Sequence, residues 1–360
     1  MKLLILTQKV DIDDDILGFF HDWIKEFAKH CERVTVVCLQ RGRYELPKNV
    51  RVLSLGKDEF LRLGKYSGFI RKLVATLRFY NCIIQERKKY DKVFVHMNPE
   101  YIVLGGIFWK LGGKKIALWY THKAVDLKLK LAAKLADIIF TASEESFRLP
   151  SRKVKIVGHG INIERFQVQS RAPGVEIINN NKFIIITVGR ISPVKDYETM
   201  IKAIYILNNQ GIKNIELDII GAVVLKNQES YLNALKDMVE KMQLAEKVKF
   251  LGSIPHYKIP EYLGKSDLFI NLSKTGSVDK AVLEAMACGC LPLSSNESFK
   301  KIIPDELIVA KNNPEKLAEK IREIIGKQKE ERDRITQKLR QIVMGNHNLN
   351  NLIKTIVKEI

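Results

Sequence analysis

Short apolar runs alternate with longer amphipathic segments along most of the chain, and this alternation limits the fold more than any other feature. The run Leu3–Thr7 is followed by apolar residues at helical spacing from Leu17 to Phe27, and then by the run Val34–Leu39. Continuous apolar strands separated by helices are typical of parallel sheets covered on both faces, so the pattern predicts an α/β fold. Further predicted strands are Val93–His96, Ile116–Tyr120, Ile138–Thr141, Lys155–Val157, Phe183–Val188, Ile215–Ile220, Val248–Leu251, Leu268–Leu272 and Leu291–Ser294.

The alternation is interrupted once, at residues 167–182, where Pro173, Gly174 and three successive asparagines stand without periodicity. A chain of 360 residues is long enough for about two domains. We therefore predict two tandem doubly wound, Rossmann-like domains at residues 1–166 and 183–345, joined by a linker at 167–182. A helix at 346–360 is expected to return to the first domain. Ligands of such sheets bind beyond the carboxyl ends of the strands, here in an interdomain cleft.

Several classes of protein are disfavoured. No G-x-G-x-x-G follows the first strand and no G-x-x-x-x-G-K-[ST] occurs, which argues against a nicotinamide dehydrogenase and a P-loop enzyme. The five cysteines are scattered and complete no zinc site, which is typical of a reducing compartment. The apolar start is too short for a signal peptide, and no run approaches the ~18 apolar residues of a membrane span. We expect a cytoplasmic protein.

Two segments have the residue types of a nucleotide site. After the strand ending at Val188, Gly189 permits a tight turn, and Arg190 and Lys195 flank the start of a helix. Cations beside free backbone N–H groups at a helix start bind pyrophosphate, although lone basic residues at strand ends are also common surface charges. In residues 270–290 a strand, a glycine-containing loop and a helix recur, and Glu284 is placed to accept hydrogen bonds from a ribose diol. The alternative is an ordinary exposed glutamate.

These segments resemble the family 4 (group 1) glycosyltransferases. The run from Gly189 to Lys195 is similar to the VGR-x₄-K signature, and Leu283–Gly289 to the LEAMACG helix. His159–Phe166 resembles the HGID-x₂-F segment, and Val248–Ile254 the strand and loop that hold the base. The resemblance covers residues 155–295 and implies a GT-B fold and a retaining, metal-independent hexosyltransferase (EC 2.4). Its co-substrate would be a UDP- or GDP-linked sugar, with no cofactor.

The resemblance also implies roles for single residues. Arg190 and Lys195 would clamp the diphosphate and stabilise charge on the leaving group. Glu284 would hold the ribose, the backbone near Ile254 would meet the base, and Gly18 would fall at the loop that approaches the phosphates. The family's E-x₇-E pattern is incomplete, because Gly276 stands eight residues before Glu284. Gly276, Asp279 and Lys280 are therefore the residues expected near the donor sugar, and the sugar's identity stays open.

The first domain offers fewer candidates. His96 ends a strand and resembles the family's first-domain histidine region, which makes it a third catalytic candidate. His122 ends the next strand, and Asp15 belongs to an acidic loop before the first helix; both are candidates for contact with acceptor or sugar. Each histidine has a structural alternative as a hydrogen-bonded packing residue. Clustered carboxylates also suit hard cations, but acids before a helix serve equally as caps, so no metal site is predicted.

The formal net charge of +19 requires an anionic partner or a solvated basic surface. Residues 57–92 and 110–134 supply much of the excess, with apolar residues interleaved. Such a face suits an anionic membrane, and lipid-linked acceptors are common in the family. A lysine-rich surface serving solubility is the alternative. A nucleic-acid-binding protein is disfavoured because no recognised module is present.

The sequence thus predicts a retaining glycosyltransferase of cell-surface glycan or glycolipid synthesis, acting on a glycan or a lipid-linked acceptor at the cytoplasmic membrane face. A non-catalytic or epimerase relative on the same fold is the alternative, since a fold does not fix a reaction.

Overall fold

The computed structural model describes residues 1–57, 59, 68–167 and 182–360. Most of the predicted linker at 167–182 and part of the basic segment 57–92 lie outside the described residues. The chain forms two compact units. The first contains Met1–Gly160, Pro255–Tyr257 and Asn348–Ile360, and the second contains Ile161–Ile254 and Lys258–His347. The sequence analysis placed the end of the first domain at residue 166 and the start of the last helix at residue 346.

The first unit contains a seven-stranded sheet in which every neighbouring pair is parallel. Its strand order is β3-β2-β1-β4-β5-β6-β7, so the order reverses between β1 and β4. The strands are β1 (Lys2–Val10), β2 (Arg33–Arg41), β3 (Val50–Ser54), β4 (Lys92–His96), β5 (Lys115–Trp119), β6 (Ile138–Thr141) and β7 (Val154–Ile156). The helices are α1 (Phe19–His30), α2 (Gly68–Gln85), α3 (Glu100–Leu111) and α4 (Leu127–Leu135).

The second unit contains a five-stranded parallel sheet of order β10-β9-β8-β11-β12. Its order reverses between β8 and β11. The strands are β8 (Phe183–Val188), β9 (Ile215–Ile220), β10 (Val248–Gly252), β11 (Leu268–Asn271) and β12 (Leu291–Ser294). The helices are α5 (Tyr197–Asn209), α6 (Glu229–Lys241), α7 (Ile259–Leu263), α8 (Lys280–Ala287), α9 (Pro314–Gly326) and α10 (Lys329–Asn346). The last helix of the chain, α11 (Leu349–Glu359), belongs to the first unit.

Each face of the first sheet has its own apolar core. On one face, Trp23 and Phe27 of α1 pack with Leu352 and Ile356 of α11. On the other face, α2, α3 and α4 bury residues such as Phe79, which is 1% exposed. Because both faces are covered, the central strands read as continuous apolar runs, and this is why the sequence predicted them. Two doubly wound α/β units are confirmed.

Strand β3 was missed by the sequence analysis for a physical reason. It is an edge strand that pairs only with β2 among the described strands, and polar Arg51 alternates with Val50 and Val52. An edge strand faces solvent along one side, so its apolar signal is weaker than that of a central strand.

Within the residues that the structure describes, no helix is both long enough and apolar enough to cross a membrane.

The loops that follow β8, β9 and β10 are joined by backbone hydrogen bonds at the carboxyl edge of the second sheet. The N–H of Gly189 donates to the carbonyl of Ile220 (2.9 Å), and the N–H of Gly221 donates to the carbonyl of Gly252 (2.8 Å). Gly221 has a φ of +146°, and a Cβ atom there would lie 1.9 Å from the carbonyl oxygen of Gly189. Only glycine allows this approach, so Gly221 holds two loop backbones together.

We predict that Gly221→Ala lowers the free energy of unfolding by about 3 kcal/mol or more, because a backbone clash adds to the strain of a glycine-only conformation. Gly211→Ala is the matched control, since Gly211 also has positive φ (+90°) but nothing lies within 4 Å of its Cβ position. Its expected cost is only about 1 kcal/mol. Chemical denaturation followed by circular dichroism measures both, and equal losses would contradict the close approach.

Candidate functional site

The loop after β8 carries the predicted basic pair. Arg190 is exposed, and a short 3₁₀ helix, Pro193–Lys195, leads to Asp196 at the start of α5. The buried hydroxyl of Tyr197 donates to the carbonyl of Gly189 (2.9 Å), which fixes the turn. A Cβ at Gly189 would lie 3.2 Å from Cε of Lys195, so the lysine stem packs directly over this glycine.

The loop after β11 meets the loop after β8, because β8 and β11 are neighbours at the point where the strand order reverses. The N–H of Lys274 donates to the carbonyl of Val194 (3.0 Å). The ammonium of Lys195 lies 3.0 Å from Oδ2 of Asp279, and the same oxygen accepts a hydrogen bond from the amide of Asn271 (2.8 Å). Ligands of doubly wound sheets bind at such a reversal point, so the structure brings two predicted site residues together where a ligand is expected.

The electrostatics of this junction favour a charged pair. Burial raises the pKa of Asp279, but the charge of Lys195 and the hydrogen bonds from Asn271 and Ser273 outweigh burial and leave the pKa below the ordinary carboxyl value. The carboxylate is therefore ionised at neutral pH. The sequence analysis did not foresee that Asp279 holds the ammonium of Lys195.

The structure shows environments for Gly276 and Glu284 that the sequence alone did not reveal. Glu284 lies in α8 and is only 4% exposed, so it is not an ordinary surface glutamate. The ammonium of Lys280, one helical turn earlier, lies 3.5 Å from its Oε1. Gly276 has a φ of +67°, a left-handed conformation that a glutamate would adopt only with strain. The missing first acid of the E-x₇-E pattern thus coincides with a loop conformation that favours glycine.

Two further features belong to the second unit. A cavity of about 200 Å³ is lined by Arg190, Pro193, Val194 and, from the loop after β9, Val224 and Leu225. The side chain of Ile254 is 8% exposed and belongs to the apolar core of the second unit. Its predicted contact with a base would involve the backbone, and this role stays a prediction.

In the first unit, Gly18 stands at the start of α1 in a crowded turn. A Cβ there would lie 2.3 Å from the carbonyl oxygen of Asp14 and 3.2 Å from Cβ of His256. Packing alone therefore requires glycine at this position. Its predicted approach to the donor phosphates stays a prediction.

The carboxylates of the acidic loop before α1 form ion pairs with nearby basic side chains. The ammonium of Lys9 contacts Asp14 (2.5 Å) and Asp11 (3.1 Å), and Arg43 binds Asp13 (2.7 Å). Asp14 also accepts hydrogen bonds from two backbone N–H groups. Within the described part of the chain, no group of three His, Cys, Asp or Glu residues is arranged to hold a metal ion. Asp15 is half-buried on this loop, and its predicted role is untested.

The two predicted histidines have different environments. His96 is 2% exposed and stacks on Phe20, with ring centroids 3.9 Å apart. Its Nδ1 lies 3.3 Å from the hydroxyl of Thr7 in the neighbouring strand β1. His122 is exposed, and its Nδ1 accepts the N–H of Ala124 (3.1 Å). The packing of His96 fits the alternative that it is a hydrogen-bonded structural residue. A catalytic role for His96 or His122 stays a prediction.

The sequence analysis missed Asn271, which ends β11 and binds Asp279. The sequence signal for Asn271 was a polar residue at the end of an apolar run, and the same signal singled out His96.

Comparison with known proteins finds similar sequences and structures. Residues 168–342 match the family model for glycosyl transferases group 1. The chain is 23% identical over 191 residues to one subunit of the phosphatidylinositol N-acetylglucosaminyltransferase of Arabidopsis thaliana, covering 49% of this chain and 38% of that protein. It is 30% identical over 154 residues to the amylovoran biosynthesis glycosyltransferase AmsK of Erwinia amylovora, covering 41% and 35%. The chain thus spans little more than a third of the length of these two relatives.

Solved structures share the fold. HepE of Anabaena, crystallised with UDP and glucose, superposes with a TM-score of 0.76 at 17% identity, covering 100% of this chain and 99% of that one. Sucrose-phosphate synthase of Thermosynechococcus elongatus gives a TM-score of 0.77 at 14% identity, covering 100% and 98%. With the two parallel-sheet units, these neighbours show a GT-B fold, as predicted. The match of residues 168–342 to the model for glycosyl transferases group 1 agrees with the resemblance that the sequence motifs indicate.

Proposed function

We propose that this protein is a retaining, metal-independent hexosyltransferase that moves a sugar from a UDP- or GDP-linked donor to a hydroxyl group of its acceptor. The observation that carries the proposal is the junction of the loops after β8 and β11, where Lys195 and Asp279 form an ion pair at the reversal point of the second sheet. Arg190 lies on one of these loops and Glu284 in the helix that follows the other.

In the proposed reaction, Arg190 and Lys195 bind the diphosphate leaving group. Two cations held before the substrate arrives stabilise the charge that develops on the leaving oxygen without reorganising. Asp279 places the Lys195 ammonium in advance, and the fixed turn at Tyr197 places the backbone from which Arg190 extends. Glu284 is held beside Lys280 and accepts hydrogen bonds from the ribose hydroxyls.

The proposed acceptor is a glycan or a lipid-linked molecule at the cytoplasmic face of a membrane. The names of the Arabidopsis and Erwinia relatives point to phosphatidylinositol and to amylovoran, respectively. The net charge of +19 suits a peripheral enzyme at an anionic surface.

Nucleotide release tests the reaction directly. The protein is incubated with UDP-glucose, UDP-N-acetylglucosamine or GDP-mannose, with and without phosphatidylinositol or a bacterial glycan extract, in EDTA. Acceptor-dependent release of UDP or GDP supports a metal-independent transferase, and the anomeric configuration of the product tests retention. Conversion of the sugar without release would indicate an epimerase, and nucleotide binding without turnover of any donor would indicate a non-catalytic relative.

We predict that Arg190→Ala abolishes the thermal stabilisation that millimolar UDP or GDP gives the wild type. A ligand at a hundred times its dissociation constant stabilises by about 2.7 kcal/mol, which a melting curve resolves. Because Arg190 is exposed, the melting temperature without nucleotide should hardly change. Arg322→Ala, at an exposed position in α9, is the control and should keep the nucleotide effect. A retained effect in Arg190→Ala would place the diphosphate elsewhere.

We predict that Lys195→Ala removes nucleotide binding and also costs about 2 kcal/mol of unfolding free energy, because it leaves a largely buried carboxylate without its cation. The double variant Lys195→Ala/Asp279→Asn should recover stability but not nucleotide binding. Recovery of both would show that the ammonium does not bind the donor.

The same pair predicts a pH dependence. The pKa of Asp279 is lowered in the folded protein, so its contribution to stability is complete above the ordinary carboxyl pKa of about 4 and is lost as pH falls through the lower folded value. Denaturation midpoints measured from pH 6 downward should fall more steeply for the wild type than for Lys195→Ala/Asp279→Asn. Parallel curves would contradict the assigned charge state.

We predict that Glu284→Gln weakens UDP or GDP binding about tenfold and reduces the preference for ribose over 2′,3′-dideoxyribose, because an amide accepts hydrogen bonds less strongly than a carboxylate. Calorimetry with both nucleotide forms measures the preference. An unchanged preference would remove Glu284 from the ribose contact.

A further inference from the structure

The most exposed apolar side chains gather on one side of the first unit. Among large apolar residues in the described ranges, the five with the greatest exposure are Leu111 (86%), Phe69 (77%), Leu127 (70%), Ile107 (63%) and Leu77 (60%). All five lie in α2, α3 or α4. Scattered exposed apolar residues are normal, but a concentration on adjacent helices marks an interaction surface. We call this set the apolar ridge.

The ridge is a second apolar face, separate from the core. Each of the three helices already buries other residues in one shared cluster against the sheet, among them Ile83, Trp109 and Leu129. The helices form one layer. The hydroxyl of Tyr80 in α2 donates to the carbonyl of Leu104 in α3 (3.1 Å), and a Cβ at Gly106 of α3 would lie 2.9 Å from Leu135 of α4.

The same layer is strongly cationic. Helices α2 and α4 contain no Asp or Glu, and Glu100 is the one carboxylate in α3. Against it stand seven Lys and Arg residues in the three helices. Some of these cations pair with carboxylates at the surface, as Lys128 does with Glu100 (2.8 Å). Apolar side chains flanked by cations are typical of helices that lie in the interface of an anionic bilayer.

We infer that the apolar ridge on α2, α3 and α4 inserts into the headgroup region of an anionic lipid membrane. A second copy of this chain is a poor occupant, because a self-complementary interface would place the excess of cations on one copy against the same excess on the other. Anionic lipid satisfies both the charge and the apolar area. The inference extends the proposed membrane location, and it does not depend on sugar transfer. The distribution of charge alone could not identify the apolar ridge, because Ile107 lies outside the two basic segments, residues 57–92 and 110–134.

Vesicle flotation tests the inference. The whole protein is floated with vesicles of phosphatidylcholine alone or with 40% phosphatidylglycerol (about 0.1 M salt, near a Debye length of 10 Å). The wild type should float with the anionic vesicles, and Ile107→Ser/Leu111→Ser should bind them at least tenfold more weakly. Val224→Ser/Leu225→Ser, which removes exposed apolar residues from the second unit, is the matched control and should float as the wild type does.

A second variant tests the charge. Lys130→Glu/Lys134→Glu in α4 should also weaken binding to anionic vesicles, with little effect on the melting temperature, since both lysines are exposed. Circular dichroism checks that each variant is folded, and the UDP or GDP thermal shift is a second check for the variants of the first unit.

Three results would overturn the inference. One is a wild type that floats with neither vesicle, and another is an Ile107→Ser/Leu111→Ser variant that floats as well as the wild type. The third is a wild-type dimer in sedimentation velocity without lipid that this variant converts to a monomer, which would assign the ridge to a second copy. Failure of the transferase assay alone leaves the flotation result standing, so the two proposals fail separately.

Discussion

The ion pair between Lys195 and Asp279 connects the two loops on which the candidate donor site depends. Neighbouring strands at a reversal point send their loops in opposite directions, one toward each face of the sheet, so nothing in the strand pairing itself holds the loops together. Here a salt bridge and one backbone hydrogen bond join them. The pair has a second effect, because an ammonium already held by a carboxylate is ordered before a diphosphate arrives. Order obtained in advance lowers the entropy that binding costs.

Local sequence was sufficient for the central strands and the family motifs. Strands such as β8 and β11 are buried on both faces, and continuous burial leaves a continuous apolar run that can be read without neighbours. The run from Gly189 to Lys195 was recognised because a turn, a cation and a helix start are all close in sequence. The edge strand β3 and the contacts of Asp279 could not be found in this way. Lys195 and Asp279 are 84 residues apart in the chain, and only the fold decides that they meet.

The environments of single polar residues could not be predicted from the sequence either. Helical periodicity does not reveal that Glu284 is only 4% exposed, because residues 282–287 of α8 are all buried and the helix has no exposed face there. For His96, a strand end next to an apolar run fits both a cleft residue and a packed ring. The stacking on Phe20 arises from α1, a distant element in sequence. The positive charge was evident from composition, but the apolar side chains beside it emerged only when three helices were placed in one layer.

The position of α11 has a consequence for synthesis on the ribosome. Ile353 and Ile356 of this helix are fully enclosed in the same core as Trp23 and Phe27, near the other end of the chain. A polypeptide emerges from its amino terminus onward, so the first unit stays without part of its interior until α11 has been synthesised. The second unit has all of its residues sooner and can acquire its native state first. The nascent amino-terminal half therefore exposes Trp23 and its neighbours until α11 emerges, and a chaperone that binds aromatic stretches would meet it there.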